Sequence, residues 1–192
     1  NMYDHMFLDG LEDAYEEGRL MGSFAEDCAR NYQFTRIQQD EYAIKSLENA
    51  LNAQEMGLFT DEIAPVKVTK KNKEEILITE DQQPKRSNPE KIPTLRPAFS
   101  NDGTVTAANS SSISDGAAAL VICSQKYADK KNLKTKAKIK GYTGHAHEPG
   151  WFTTAPITAT QKLLSLINWS TEEVDLWEVN EAFAVVPMAF MK

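Results

Sequence analysis

The chain has 192 residues, 41% hydrophobic and 26% charged, and a formal net charge of −7. That is enough for one large or two small domains of ordinary globular composition. The acidic balance gives no electrostatic case for nucleic acid, and no apolar stretch approaches the length of a membrane span.

Two helices are expected first. Ser23-Phe24-Ala25-Glu26 has the Ser-x-x-Glu form of a capping box and predicts a short helix through Tyr32. Thr35-Arg36-Ile37-Gln38 repeats the pattern and predicts a longer one. Ile37, Ile44, Leu47 and Leu51 recur at helical spacing as a core stripe, and Gly57 is a plausible stop. Residues 63–68 and 76–78 read as short strands around a lysine-rich, solvated turn. Residues 81–97 are polar and carry prolines, which predicts a surface loop. Asn101-Asp102-Gly103 is a turn.

The second half alternates. Residues 116–123 are small, then β-branched and uncharged, and read as a strand buried on both faces. Residues 136–142 read as another strand, and residues 158–168 as a helix with Leu163, Leu164 and Ile167 on one side. Residues 170–173 form a turn before a short buried strand at 174–179. Strands interleaved with helices predict an α/β fold.

Cys28 lies in the first helical pattern and Cys123 ends the apolar run at 116–123, so both read as core residues. Two cysteines are too few for a disulfide scaffold, and the usage fits a reducing cytoplasm. His145 and His147 alternate on one face, but with no third ligand they read as loop histidines, and no metal site is expected. His5 is given no role.

The last segment is the most informative. Trp177-Glu178-Val179 ends at Asn180, and an apolar, helix-like stretch follows. A polar amide at a strand-to-helix junction has two readings: a helix cap, or a group beside backbone donors that favour negative charge. On the residues alone both remain open.

Asn180-Glu181-Ala182-Phe183-Ala184 resembles the NEAF motif of thiolases. The stretch from Gly103-Thr104-Val105-Thr106-Ala107 through Asn109 and Ser111 to Asp115-Gly116-Ala117-Ala118-Ala119 resembles the same family's GTVTAxNxSxxxDGAAA signature, at the family's spacing. The resemblance implies a partial thiolase fold. Residues 1–113 would be a CoA-covering loop domain. Residues 114–133 would be the last strand and helix of an N-terminal core domain, and residues 134–192 the first half of a C-terminal one.

It also implies a function: acyl transfer between coenzyme A thioesters, as in an acetyl-CoA acetyltransferase that joins two acetyl-CoA into acetoacetyl-CoA and CoA. The alternatives are a degradative 3-ketoacyl-CoA thiolase and a non-catalytic CoA-binding fragment. No cofactor is implied beyond the CoA thioester itself, nor any nucleic acid or membrane partner. A cytoplasmic homo-oligomer, dimer or tetramer, is expected.

By the same resemblance, Asn180 would hold a water that stabilises the thioester oxyanion. Ala182 and Phe183 would line the acyl and pantetheine tunnel. Phe99 would stand at the CoA cleft, with Ala107 and Ser111 flanking the pantetheine arm. Arg86 and Leu95 would lie at the adenosine end, and Phe152 near the acyl group. Without the resemblance, Ser111 is a loop serine and Arg86 a solvated arginine. Thr153 and Ala155 replace the glycines of a family G-x-G-P turn, and Pro84 stands about where some relatives use a potassium-binding tyrosine. The family's nucleophilic cysteine, its Gly-His-Pro motif and its C-terminal cysteine match nothing here. Both ends of the chain are therefore expected to be internal to a longer protein, and the piece alone is expected to be inactive.

Overall fold

The computed structural model describes residues 2–192. Its elements, in order, are α1 (Met21–Tyr32), α2 (Arg36–Glu55), β1 (Val66–Thr69), β2 (Glu75–Ile78), α3 (Gln83–Arg86), α4 (Gln125–Lys131), α5 (Ala155–Ile167) and α6 (Val185–Met191). Short 3-10 turns add Pro89–Thr94, Pro149–Thr154 and Thr171–Glu173, and one π turn spans Phe7–Leu11. Among the described residues, no helix is long and apolar enough to cross a membrane.

The core is built from α1, α6, the Val105 strand-like segment and the turn before α5. Ala25, Cys28, Ala29, Val105, Phe183, Val185, Val186 and Ala189 form one buried cluster. Small residues on α1 let the helix approach α6 closely, and Phe24 fills the space beside them. The Phe24 ring lies edge-on to Phe152 at 6.2 Å and carries the Arg19 guanidinium over its face at 3.9 Å. Both geometries suit the quadrupole of the ring. Pro187 falls in the first turn of α6, where its missing N–H costs nothing.

The capping box at Thr35 forms as expected: the Thr35 hydroxyl accepts from Gln38 N–H, and the Gln38 side chain accepts from Thr35 N–H at 2.9 Å. Gly57 follows the end of α2 with φ +69, the left-handed conformation that glycine takes without cost. The box expected at Ser23 does not form. Helix α1 begins earlier, at Met21, with Leu20 at the cap. Glu26 is buried and used elsewhere: its carboxylate accepts from Thr104 N–H (2.8 and 2.9 Å), Thr104 hydroxyl (3.0 Å) and Val105 N–H (2.7 Å). A partner 78 residues away outcompetes the local cap, because a buried carboxylate needs several donors.

Other expectations hold in part. The two short strands form an antiparallel hairpin with Val66 opposite Ile78 and Thr69 opposite Glu75, around a solvated turn. Residues 81–97 are not all loop. They contain α3 and a 3-10 turn, and Pro84 and Ile92 are buried. The α2 stripe is half-buried at Ile44, Leu47 and Leu51, but Ile37 is 68% exposed. The helix expected at 158–168 starts earlier, at Ala155.

Three predicted strands are corrected. Residues 116–123, 136–142 and 174–179 are extended but pair with nothing among the described residues. Instead of being buried on both faces, the first of them leaves Leu120 89% exposed, and Cys123 is exposed rather than core. In the third, Leu176 is exposed and only Val174 and Val179 are half-buried. β-branched runs do produce extended backbone. A strand also needs a neighbour to satisfy its N–H and C=O groups, and the run itself cannot supply one. The middle segment is at least anchored. Thr143 hydroxyl donates to Ala159 carbonyl at 2.8 Å, and a Cβ on Gly141 would meet Ile167 at 2.8 Å, so glycine permits the close approach to α5.

The clamp at Glu26 has a measurable consequence. Glu26→Ala leaves the Thr104 and Val105 N–H groups without their acceptor and should lower stability by at least about 3 kcal/mol, since two hydrogen bonds to a charged group contribute roughly 1.5–3 kcal/mol each and orphaned donors add a cost. Gly103→Ala should act on the same contact, because its Cβ would lie 2.2 Å from Glu26 Oε1. Urea unfolding of both variants is the check, and near-native midpoints would show that the turn closes without the clamp.

Candidate functional site

A single long cleft of about 1280 Å³ runs beside α2. One wall is the α2 face bearing Tyr42, Ser46 and Leu47. A second is the segment from Glu80 to Leu95, with Arg86 and Lys91. The third is formed by residues 107–116, and Asn180, Glu181 and Ala184 close the floor.

Buried polar contacts hold the walls. Arg36 and Asp40 stand one turn apart on α2, with Nε to Oδ2 at 2.7 Å. The Arg36 Nη2 donates to the carbonyls of Ile92 (3.2 Å) and Leu95 (2.9 Å), which fixes the second wall. The other oxygen of Asp40 accepts from Asn109 Nδ2 at 3.1 Å. Asn109 is itself buried. It also donates to Thr104 carbonyl (3.0 Å) and accepts from Thr106 N–H (2.7 Å), folding the 104–109 turn around its amide. From this turn the chain meets the NEAF segment. Ser110 and Phe183 form an antiparallel bridge, with Ser111 N–H to Ala182 carbonyl at 2.9 Å and Ala184 N–H to Asn109 carbonyl at 2.8 Å.

Five of the predicted residues line this cleft: Arg86, Leu95, Ala107, Ser111 and Asn180. The other four belong to the adjoining core instead. Phe183 is buried, and Phe99 lies edge-on to it at 6.2 Å. Phe152 packs on Phe24, and Ala182 adjoins the same core. Arg86 is exposed and donates to Gln82 Oε1 at 3.0 Å.

Asn180 is not a helix cap. Helix α6 starts at Val185, with Ala184 at the cap. The Asn180 side chain is exposed and makes no hydrogen bond to any described residue. Its neighbour does the anchoring: Glu181 accepts from Tyr42 hydroxyl at 2.6 Å and Ser46 hydroxyl at 2.7 Å. Burial first, and then the carboxylate, push the Tyr42 hydroxyl well above its ordinary range, so it stays a donor. Sequence reading missed Glu181, Asn109, Asp40 and Tyr42 as site-building residues. Glu181 and Asn109 stood inside the quoted motifs, which was the only signal for them.

Neither cysteine enters the cleft. Burial pushes the Cys28 thiol up, with the Thr153 hydroxyl beside it acting the other way. Cys123 is exposed on an extended segment. The two histidines are loop residues: His147 Nε2 contacts Trp151 carbonyl at 2.6 Å and His145 Nδ1 meets Lys162 Nζ at 2.9 Å. Among the described residues no group of three or more ligating side chains could hold a metal. A smaller hollow of about 630 Å³ lies around Arg19, but Glu16 and Asp27 already pair that guanidinium.

Sequence and backbone are similar to those of known proteins. Residues 1–126 match the family model described as thiolase, N-terminal domain, and residues 133–192 match that of thiolase, C-terminal domain. The chain belongs to the thiolase family. It is 46% identical over 194 residues to acetyl-CoA acetyltransferase 2 of Arabidopsis thaliana, covering 100% of this chain and 48% of that protein. Its backbone superposes with TM-score 0.93 on the Acat5 thiolase of Ascaris suum solved in complex with coenzyme A, at 43% identity, over 100% of this chain and 48% of that one. Human mitochondrial 3-ketoacyl-CoA thiolase gives TM-score 0.89 at 33% identity, over 97% and 47%. This thiolase chain thus spans about half the length of the relatives it matches, and its partial α/β architecture is theirs.

Two outcomes test the site's construction. Asn109→Ala should speed amide exchange at Ser111 and Ala184 by about tenfold or more, because a buried amide that serves three partners contributes on the order of 1–3 kcal/mol. Hydrogen exchange followed by mass spectrometry reads this directly, and unchanged protection at both amides would separate Asn109 from the bridge. Iodoacetamide should label Cys123 and spare Cys28 in the folded chain, since reactivity follows thiolate content and access. Peptide mapping showing Cys28 modified first would contradict the burial.

Proposed function

We propose that, in a protein of its relatives' length, this chain forms the CoA-binding cleft and the oxyanion side of an acetyl-CoA acetyltransferase. The reaction is the reversible joining of two acetyl-CoA into acetoacetyl-CoA and CoA. The observation that carries this reading is an unengaged amide, Asn180, on the floor of a long cleft whose walls bear Arg86 and Ser111. Relatives at 43–46% identity over nearly the whole chain carry the name acetyl-CoA acetyltransferase, which favours the short-chain reaction. The Ascaris relative's complex with coenzyme A supports the ligand class.

In this reading the cations Arg86 and Lys91 face the phosphates of CoA. Ala107 leaves room for the pantetheine arm, and the Ser111 hydroxyl bonds one of its amides. At the reacting end, a base removes a proton from the α-carbon of one acetyl-CoA, and the negative charge spreads onto its thioester oxygen. Asn180 orients a water toward that oxygen. The carbanion then attacks the carbonyl of the acyl group held on the enzyme, and the enzyme thiolate leaves. Neither Cys28 nor Cys123 suits that thiolate, so the nucleophile belongs to other residues of such a protein. Phe99, Phe152, Ala182 and Phe183 shape the acyl end from the adjoining core. The division into a loop domain at 1–113 and core-domain pieces at 114–133 and 134–192 belongs to the same proposal, as do a homo-oligomeric assembly and a reducing, cytoplasmic setting for the two free thiols.

The absence of a suitable thiol in this chain favours one second reading, a CoA-binding piece without catalysis. A hybrid decides between them, in which residues 1–192 replace the matching half of the Arabidopsis enzyme. The hybrid should cleave acetoacetyl-CoA, whereas the 192-residue chain alone should not. In the hybrid, Asn180→Ala should lower kcat by about 10²–10³-fold, the usual loss for one oxyanion donor, with little change in KM because the charge is largest in the transition state. Near-normal turnover with a lowered Tm would make Asn180 a structural residue only.

A further inference from the structure

We propose that Glu181 is a positioning residue: its carboxylate, gripped by Tyr42 and Ser46 on α2, fixes Asn180 in the cleft. The proposal rests on the oxyanion role just given to Asn180. It concerns how that amide is held, which the motif alone does not say.

The geometry supports it from both sides of the segment. Residues 182–184 are tied to the 109–111 turn by two backbone hydrogen bonds and the Ser110–Phe183 bridge. Those ties stop at Ala182, so Asn180 and Glu181 extend beyond them. Residues 174–179, on the other side, are extended and pair with nothing among the described residues. Asn180 itself has no hydrogen bond to any described residue. The contacts at 2.6 and 2.7 Å from Tyr42 and Ser46 are therefore the last fixed point before Asn180, and they come from the helix that forms the opposite wall.

The chemistry of the grip is specific. Tyr42 and Ser46 are spaced i, i+4, so their hydroxyls lie on one face of α2. A carboxylate can accept from both at once, one on each oxygen, and such charge-assisted bonds are short. Helix α2 is in turn held by its formed capping box and by the Arg36–Asp40 pair. An amide one residue from such a fixed point is preorganised. A displacement of about 1 Å at a positioning group can cost 10²-fold in rate.

The experiment is a kinetic cycle in the hybrid enzyme defined above. Glu181→Ala, and separately Tyr42→Phe with Ser46→Ala, should each lower kcat about 10- to 100-fold. KM for acetyl-CoA should change less than about twofold, and the two changes together should cost no more than either alone. In an Asn180→Ala background, Glu181→Ala should cause no further loss of kcat. Glu181→Gln, which keeps one acceptor, should restore part of the rate, and a Tm scan separates any unfolding. An equal loss from Glu181→Ala with and without Asn180, or a change confined to KM, would overturn the positioning role and leave the Asn180 reading intact. A normal kcat for Asn180→Ala would overturn both.

Discussion

The ion pair between Arg36 and Asp40 is the constraint on which the cleft depends. Asp40 is buried and Arg36 half-buried, and a buried charge is tolerable only when its hydrogen-bonding capacity is met. Meeting it recruits two loops. Arg36 Nη2 donates to the carbonyls of Ile92 and Leu95, and the second oxygen of Asp40 accepts from Asn109. One helical turn of α2 thus sets the separation of the two walls that face each other across the cleft. An apolar pair at these positions could pack as well, but it would leave the loop carbonyls and the Asn109 amide without directed partners. Polar contacts here supply geometry, while the α1–α6 core supplies burial.

Local chemistry was legible wherever the partner was local. The Thr35–Gln38 box, the turn at Gly57, the two short strands around a solvated turn and the body of the helix over 158–167 all follow from residues within a few positions of each other. Glu26 shows where that reading stops. Its spacing from Ser23 matches a cap, yet its carboxylate serves Thr104 and Val105, and nothing in a window of four residues announces a partner 78 positions on. The runs at 116–123 and 174–179 show the same limit for strands. Composition predicts extended backbone, but pairing is a property of two segments, and burial follows pairing. Ile37 was counted into a helical stripe by spacing alone, although it sits at the first turn of α2, where little lies above it.

The candidate site was legible through motif resemblance more than through pattern. Asn180, Ala107 and Ser111 were reached by the two signatures, and Arg86 and Leu95 by the wider family resemblance; all five line one cleft. Glu181 and Asn109 belong to the same signatures but carry no chemical hint of their partners, because those partners lie on α2, far back in the chain. Polar residues within a motif thus divide into two kinds. Some bind the fold together, and these have every hydrogen bond met internally. Others, Asn180 among them, face the cleft with no partner among the described residues.

That division explains how half the length of its relatives still presents a formed cleft. Every contact that sets its walls closes within the chain: Glu26 to residues 104 and 105, Arg36 to 92 and 95, Asp40 to Asn109, Ser111 to Ala182, and Glu181 to Tyr42 and Ser46. The unpaired extended segments at 116–123 and 136–142 supply none of these contacts. Their apolar side chains and free backbone groups call for partners of their own, but satisfying them would not require the cleft to move. Site and sheet are separable here because the site is cross-linked by side chains with several donors or acceptors each. Extended strands have only their backbone and a neighbour to rely on.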